Sequence, residues 1–212
     1  MIEPDDPRQR SPSVARNRHV ILEVLRPRLP HAAHVLEIGS GSGEHAITFA
    51  AALPEITWTP SDPNVEARAS ITAWTADRAL SNVQAPLDLD VEDPGWAAMA
   101  GRAATEAGTF DAVLSINMIH ITPPSTVAGL MNGAAAALRQ GGLLVLYGPF
   151  RRDGQHTAPS NEEFDRWLKD RHPSFGIRDL GEVEAAANTE DLELNEVVEM
   201  PANNLSVFFR RR

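Results

Sequence analysis

The chain has 212 residues, 42% of them hydrophobic, a formal net charge of -10 and no cysteine. That length supports one domain with a substantial core. The acidic balance excludes a protein whose main task is gripping a polyanion, which needs surplus Lys and Arg, and the missing cysteine excludes disulfides, thiolate metal sites and a cysteine nucleophile.

The first segment, "MIEPDDPRQRSPS", is charged and proline-rich. It lacks the apolar core of a secretory signal, and no later run approaches the roughly 20 apolar residues that span a bilayer. A cytoplasmic protein with no membrane partner is therefore expected, with residues 1–13 as a mobile arm and residues 14–212 as a single domain. Val14, Ile21, Leu22 and Leu25 then share one helical face until Pro27 and Pro30 stop the helix. "HVLEIGS" predicts a buried strand running into a glycine turn, and "EHAITFAAAL" a helix ending at Pro54.

The rhythm repeats. "ITWTPSD" is strand-like and precedes a helix from about Val65 to Leu80, and "VQAPLDLDV" predicts a third strand before a helix from about Gly95 to Ala107. "FDAVLSINMIHI" predicts a fourth strand, and "STVAGLMNGAAAALRQGG" a helix whose C-terminus falls at Gly141-Gly142. "LLVLYGPF" is the fifth strand. Five strands alternating with helices predict an α/β fold, a parallel sheet covered on both faces. "RRDGQHTAPSNEEF" reads as a long polar loop, often functional in such folds, before a helix at about Asn161 to Arg171. A helix near Gly181 to Ala187 follows, then "LELNEVVEM" and "NLSVFFRR", joined by the turn "PANN" and therefore antiparallel.

"VLEIGSGSGEH" has Glu44 where the dinucleotide fingerprint needs its third glycine, with Gly43 one residue early. A glutamate in the first turn of the helix is awkward beside a pyrophosphate, and no Lys-Ser/Thr pair follows to make a P-loop. A smaller zwitterionic ligand without phosphate fits better. Asp62 follows the second strand, about twenty residues on, where an acidic side chain accepts ribose hydroxyls. Asp88 or Asp90, at the end of "LDLDV", is placed to accept from an adenine amino group while Val91 packs on the ring. The three strand ends together read as a site for an adenosine carrying an amino-acid tail.

At these residues the chain resembles the class I S-adenosylmethionine-dependent methyltransferases, with Glu37, Gly39, Ser40, Gly41 and Gly43 in their first motif. The antiparallel last hairpin also matches that fold, which implies a Rossmann-like sheet of seven strands, five parallel plus the hairpin. More narrowly, "ARNRHVILEVL", "VLEIGSGSGEHA", "WTPSDP", "INMIHITP", "LYGPFRRDGQHTAPSNEEFD", "FGIRDL" and "VVEMPANNLSVFF" resemble the methyltransferase-like protein 26 family, from about Ser11 to the C-terminus. In "LRQGG", Gln140 replaces the proline common before the paired glycines.

The resemblance implies S-adenosyl-L-methionine as cofactor, no metal, and methyl transfer by in-line displacement, in which the protein supplies alignment and, for some acceptors, removal of a proton. The acidic charge and modest size favour a small-molecule acceptor with an oxygen, nitrogen or sulfur nucleophile, and no nucleic-acid partner. A catalytically silent cofactor-binding interaction protein and a protein or tRNA methyltransferase are the alternatives. Oligomeric state is not legible.

Candidate residues each carry a plainer reading. His120 follows the fourth strand as a base or acceptor-orienting group, or as a hydrogen-bonded structural histidine. Asn117 resembles the position that presents a polar group to the cofactor; its alternative is a turn residue. Tyr147, the only tyrosine, orients the acceptor or packs in the core. His156, Arg151, Arg152 and Asn161 read as an acceptor lid or anion clamp, with Ser160 and Glu163 as a capping box. Arg16 is a partner for the cofactor carboxylate and Asn17 an acceptor contact, or both lie on a solvated helix face. Trp58, Trp74, Trp96 and Trp167 are expected as packing residues.

Overall fold

The computed structural model describes residues 6–104 and 109–212. In chain order its elements are α1 (Pro12–Leu25), β1 (His34–Ile38), α2 (Glu44–Ala52), β2 (Thr57–Ser61), α3 (Val65–Asp77), α4 (Trp96–Gly101), β3 (Phe110–Ile116) and α5 (Ser125–Ala137). There follow β4 (Leu138–Gly148), β5 (Arg151–Arg152), β6 (Gln155–His156), α6 (Pro159–Arg171), α7 (Leu180–Asn188), β7 (Leu192–Met200) and β8 (Asn204–Arg211).

Among the described residues the main sheet runs β2-β1-β3-β4-β8-β7. Its first four strands are parallel, and β8 is antiparallel to both β4 and β7. All five residues of β1 are buried, as a strand covered on both faces requires. Alternate side chains divide into two cores. Leu36, Ile38, Val113, Leu144 and Leu146 join residues of α4, α5 and α7. Val35, Leu114, Ile116, Val145 and Tyr147 join those of α1, α2 and α3. The period of two thus sorts each strand between the helix layers, and the sequence-predicted α/β sandwich is the observed one.

Among the described residues the main sheet has six strands, four of them parallel, close to the seven with five parallel that are expected. The segment "VQAPLDLDV" runs beside β2 and touches it only at two bridges, Trp58 with Val83 and Ser61 with Leu87. Pro60 in β2 and Pro86 opposite it both lack an N–H, so the ladder cannot continue between those bridges. Gly141-Gly142 also differs from expectation. Helix α5 stops at Ala137 with an extended Leu138. Gly141, at φ +75°, instead bends the start of β4, where a side chain at Gly142 would collide with the Arg139 and Asp111 carbonyls.

The polar loop after β4 holds a small ribbon, β5 paired antiparallel with β6 around Asp153 and Gly154, both at positive φ as a two-residue hairpin turn requires. The expected capping box is absent: Ala158 is the N-cap of α6, Pro159 enters its first turn, and Ser160 Oγ lies 3.2 Å from Asn203 Nδ2. Trp167 is also corrected, since it is half exposed, stacked on Phe164 and covered by Arg171.

Of the arm expected over residues 1–13, residues 1–5 lie outside the described part. Gln9 N–H donates to Ser70 Oγ at 2.8 Å and Trp74 Nε1–H donates to the Gln9 carbonyl at 2.9 Å, while Pro12 and Ser13 already belong to α1. The helix expected to reach Ala107 is described through Gly101, and its last expected residues lie outside the described part. At the other margin of the sheet, β7 carries Glu193, Glu196 and Glu199, ion-paired with Arg212, Arg28 and Arg152, and a bulge between Leu194 and Glu196.

Candidate active site

Parallel strands bring their C-terminal ends to one margin, where chain reversals leave room for a ligand. The turn from β1 to α2 places Gly39, Gly41 and Gly43 at φ +67°, +53° and +83°. A side chain at Gly39 would strike Met118, and one at Gly43 would strike Ile71, so these two glycines serve the closeness of the turn to its own neighbours. Gly41 differs, because a Cβ there meets nothing within 4 Å. Its N–H donates to Asp62 Oδ2 at 2.9 Å, while Asp62 Oδ1 accepts from Asn64 N–H at 2.9 Å. The carboxylate after β2 is thereby fixed beside the open face of the turn.

Below the turn the polar groups are occupied. Ser40 N–H donates to the Ser61 carbonyl at 2.9 Å, Ser61 N–H to Ser40 Oγ at 3.2 Å and Ser61 Oγ–H to the Glu37 carbonyl at 2.8 Å. Glu37, 1% exposed, accepts from Trp58 Nε1–H at 2.7 Å. Burial pushes its carboxyl up to about 8, against the opposing pull of the Trp58 and Ser40 hydrogen bonds.

Asp62 thus lies near a cleft of about 210 Å³ walled by Gly39, Leu89, Asp90, Val91, Met118 and Thr122. The structure separates the two aspartates of "LDLDV": Asp90 lines the cleft, whereas Asp88 pairs with Arg68 at 3.0 Å. Gly39, Asp90 and Val91 line the cleft together, and the bonded pair Gly41 and Asp62 adjoins it next to the lining residues Gly39 and Pro63; Glu37 and Ser40 are buried at the end of β1.

The second half of the margin lies at the ends of β3 and β4. Asn117 is left-handed at φ +59°, and its N–H donates to the Tyr147 carbonyl at 2.8 Å. A Cβ built on Gly148 would fall 2.6 Å from His120 Nε2 and 3.1 Å from Asn117 Oδ1, so both side chains close on this bare glycine. His120 is 1% exposed, and its Nε2 has no hydrogen-bond partner among the described residues. Burial, then the charge of Arg178, push its imidazole down to about 3. The Arg178 N–H lies 3.4 Å from His120 Nδ1, and its guanidinium donates to the Ile119, Thr122 and Ser174 carbonyls. The Gly176 backbone also meets the ring and favours its protonated form, and the neutral imidazole keeps Nε2 buried and unpaired among the described residues.

Tyr147 is buried between the side chains of Asn17 and Asn204, and burial raises its phenol above the ordinary value. Asn17 is 2.8 Å from His45 Nε2, and burial with the nearby Arg18 charge holds His45 neutral by pushing it down to about 3. His156 lies 3.5 Å from Asp165 Oδ2 and its Nδ1 is unpartnered. Asp165 also accepts from Lys169 Nζ at 2.6 Å and Ile177 N–H at 2.7 Å.

Three sequence candidates lie apart. Arg16 is exposed on α1. Arg152 is spent on Glu199 at 2.7 Å. Asn161 is buried at the start of α6, its Nδ2–H donating to Thr157 Oγ1 and the Asn203 carbonyl, both at 3.0 Å. Sequence reasoning missed Met118 and Thr122 as cleft walls, Arg178 behind His120 and Asp165 beside His156. Met118 and Thr122 belong to the run after β3, whereas Asp165, within α6, and Arg178, in the segment before α7, carry no local signal.

A glycine turn, a carboxylate after β2 and an acid-apolar pair at the next chain reversal, on an α/β sheet closed by an antiparallel hairpin, define a Rossmann-like fold of the methyltransferase type. Solved structures share it. The S-adenosylmethionine-dependent methyltransferase SibL in its apo form superposes with a TM-score of 0.75 at 20% identity, over 94% of this chain and 55% of that one. An O-methyltransferase family protein from Burkholderia thailandensis gives 0.75 at 14%, over 94% and 57%. CalO1, a methyltransferase in calicheamicin biosynthesis in its SAH-bound form, gives 0.74 at 14%, over 94% and 54%. This chain spans about half the length of the solved structures it matches, and the likeness establishes the fold. The chain belongs to the family described as "Protein of unknown function (DUF938)", which matches residues 8–211.

Proposed function

We propose that the protein is an S-adenosylmethionine-dependent methyltransferase acting on a small-molecule acceptor, of the methyltransferase-like protein 26 type that its motifs resemble, and that it works in the cytoplasm without a nucleic-acid or membrane partner. The observation that carries this reading is the 2.9 Å bond between Gly41 N–H and Asp62, which joins the open glycine to a carboxylate near the cleft walled by Asp90 and Val91. A nucleoside fits this donor set. Asp62 has lone pairs left for two ribose hydroxyls, Asp90 accepts from an exocyclic amine, and Leu89, Val91 and Met118 pack against a ring.

The cofactor supplies an electrophilic methyl group on a sulfonium when bound. The chain's residues then bind, orient and shield. Asn117 and the bare face of Gly148 border the acceptor side, where the unpaired His120 Nε2 orients the acceptor. Tyr147, held by Asn17 and Asn204, lies at the end of β4, and His156, 3.5 Å from Asp165, is the further candidate for contact with the acceptor.

Titration calorimetry with S-adenosylhomocysteine tests the cofactor assignment. Micromolar binding by the wild type, weakened by about tenfold or more in Asp62→Ala, is expected; absence of binding at millimolar ligand, or an unaffected Asp62→Ala, overturns it. A cofactor-binding but silent interaction protein is favoured by one observation: His120 is held neutral far below its ordinary value and the Tyr147 phenol above its own, so neither is a ready base near pH 7. Transfer of labelled methyl into a metabolite extract separates the two, and label in protein or tRNA identifies a macromolecular acceptor.

A further inference from the structure

A second, larger groove of about 490 Å³ lies among α1, α2, α3 and the segment before α1, and its lining shares no residue with that of the candidate cofactor cleft. Its lining combines the apolar Leu22, Ile47 and Ala51 with Arg10, Arg18, Arg78, the face of Trp74 and one carboxylate, Glu44. A volume of this order suits a small organic ligand. The charge balance is the informative feature. Three guanidiniums, those of Arg8, Arg10 and Arg78, lie within 5.8 Å of the Trp74 ring, in a protein whose net charge is -10.

The neighbouring acids are already engaged. Asp6 is bonded to Arg8 at 2.6 Å, Asp77 is shared by Arg8 and Arg78, and Glu44 accepts from Ser11 N–H at 2.6 Å and Ser42 Oγ–H at 3.2 Å. Arg10 and Arg18 have no carboxylate partner among the described residues. Arg18 Nε is buried without a hydrogen-bond partner among the described residues, and the Arg18 charge is felt by His45. Clustered cations with spare donors beside apolar side chains match an oxyanion carried on an apolar body.

We propose that this groove binds a small organic phosphate ester, its phosphate held by Arg10 and Arg18 and its apolar portion resting on Leu22, Ile47 and Ala51. The site is rigid where it matters, because the segment carrying Arg10 is tied to α3 through Ser70 and Trp74 and to α2 through Glu44. It also adjoins the first turn of α2, so occupancy is felt at the end of the glycine turn. The assignment does not depend on the methyltransferase reading.

The test is a titration of the 15N-labelled full chain with 1-naphthyl phosphate at low salt, following the indole resonance of Trp74, assigned with Trp74→Phe. A saturable shift is expected, with affinity falling about tenfold or more in Arg10→Gln/Arg18→Gln and falling as salt rises. Arg10→Gln alone, at an exposed position, should give part of the loss with the fold intact. S-adenosylhomocysteine binding should be the same in wild type and double variant, which separates this site from the cleft. No Trp74 shift at about 5 mM probe, equal affinity in the double variant, or shifts at the Gly39–Gly41 amides alone would overturn the proposal. An equal response to 1-naphthol overturns the phosphate role, and tighter binding of 1-naphthoate overturns the choice of phosphate over carboxylate.

Discussion

Replacing Glu37 by Gln should stabilise the protein increasingly as pH rises from about 4.5 to about 8. The carboxyl is buried at the end of β1, bonded to Trp58 Nε1, and pushed from 4.5 up to about 8. Between those two pH values the unfolded chain has released the proton and the folded chain retains it. The folded state then binds more protons, so stability falls as pH rises through this window and is fully present below about pH 4.5. A displacement of this size corresponds to on the order of 3–5 kcal/mol lost by pH 8.5. Gln keeps the shape and can accept the same Trp58 N–H without titrating. Urea denaturation should show wild type and E37Q within about 1 kcal/mol of each other at pH 5, and E37Q ahead by on the order of 3–5 kcal/mol at pH 8.5. For a domain of this size, that is a melting-temperature gap on the order of 10 °C. A gap that stays constant from pH 5 to 8.5, or a wild type that gains stability over that range, refutes the reasoning. Glu37 was also read from the sequence as a cofactor contact, and a loss of S-adenosylhomocysteine affinity in the stabilised E37Q variant would distinguish that role from the structural one.

The two halves of the glycine turn should respond differently. Gly41→Ala, facing open space, costs about 1 kcal/mol through its positive φ while hindering the ligand; Gly39→Ala costs more, because its Cβ meets Met118 Cγ at 2.9 Å, and paired thermal melts and calorimetry should rank them so. Gly133→Ala on α5 drives a methyl to within 2.0 Å of the Trp96 ring, and a loss of about 2–3 kcal/mol in denaturant melts is expected. If an acceptor is found, the pH profile of kcat should show no limb from His120 near its ordinary value of 6.5, since that ring is held neutral down to about 3; a limb near 6.5 that disappears in His120→Gln would contradict a neutral, orienting His120.

Much of the fold was legible because burial imposes simple periods. Strands covered on both faces read as apolar runs, and α1 shows its buried stripe at Val14, Ile21, Leu22 and Leu25. Errors arose where one backbone group outweighed the pattern. Pro60 and Pro86 broke a ladder that the alternation in "LDLDV" promised, and Gly141-Gly142 served a strand's entry where a helix end was expected. The Asp153-Gly154 turn was visible in the sequence and was passed over within a polar loop. For the site, Gly41, Asp62 and Asp90 were legible because each follows a strand end. Arg178 and Asp165 were not, since their relations to His120 and His156 exist only after α6 and the following segment fold back over the sheet.

Both margins of the main sheet are closed to further strands. On the β2 side a proline-interrupted segment already occupies the edge, touching it only at Val83 and Leu87. On the β7 side a bulge and a row of ion-paired glutamates meet any incoming backbone. Among the described residues, neither margin therefore offers a long, flat template on which to extend the sheet. Recognition is left to the helices and to the loops at the strand ends, which can change in sequence and length without opening a route to aggregation.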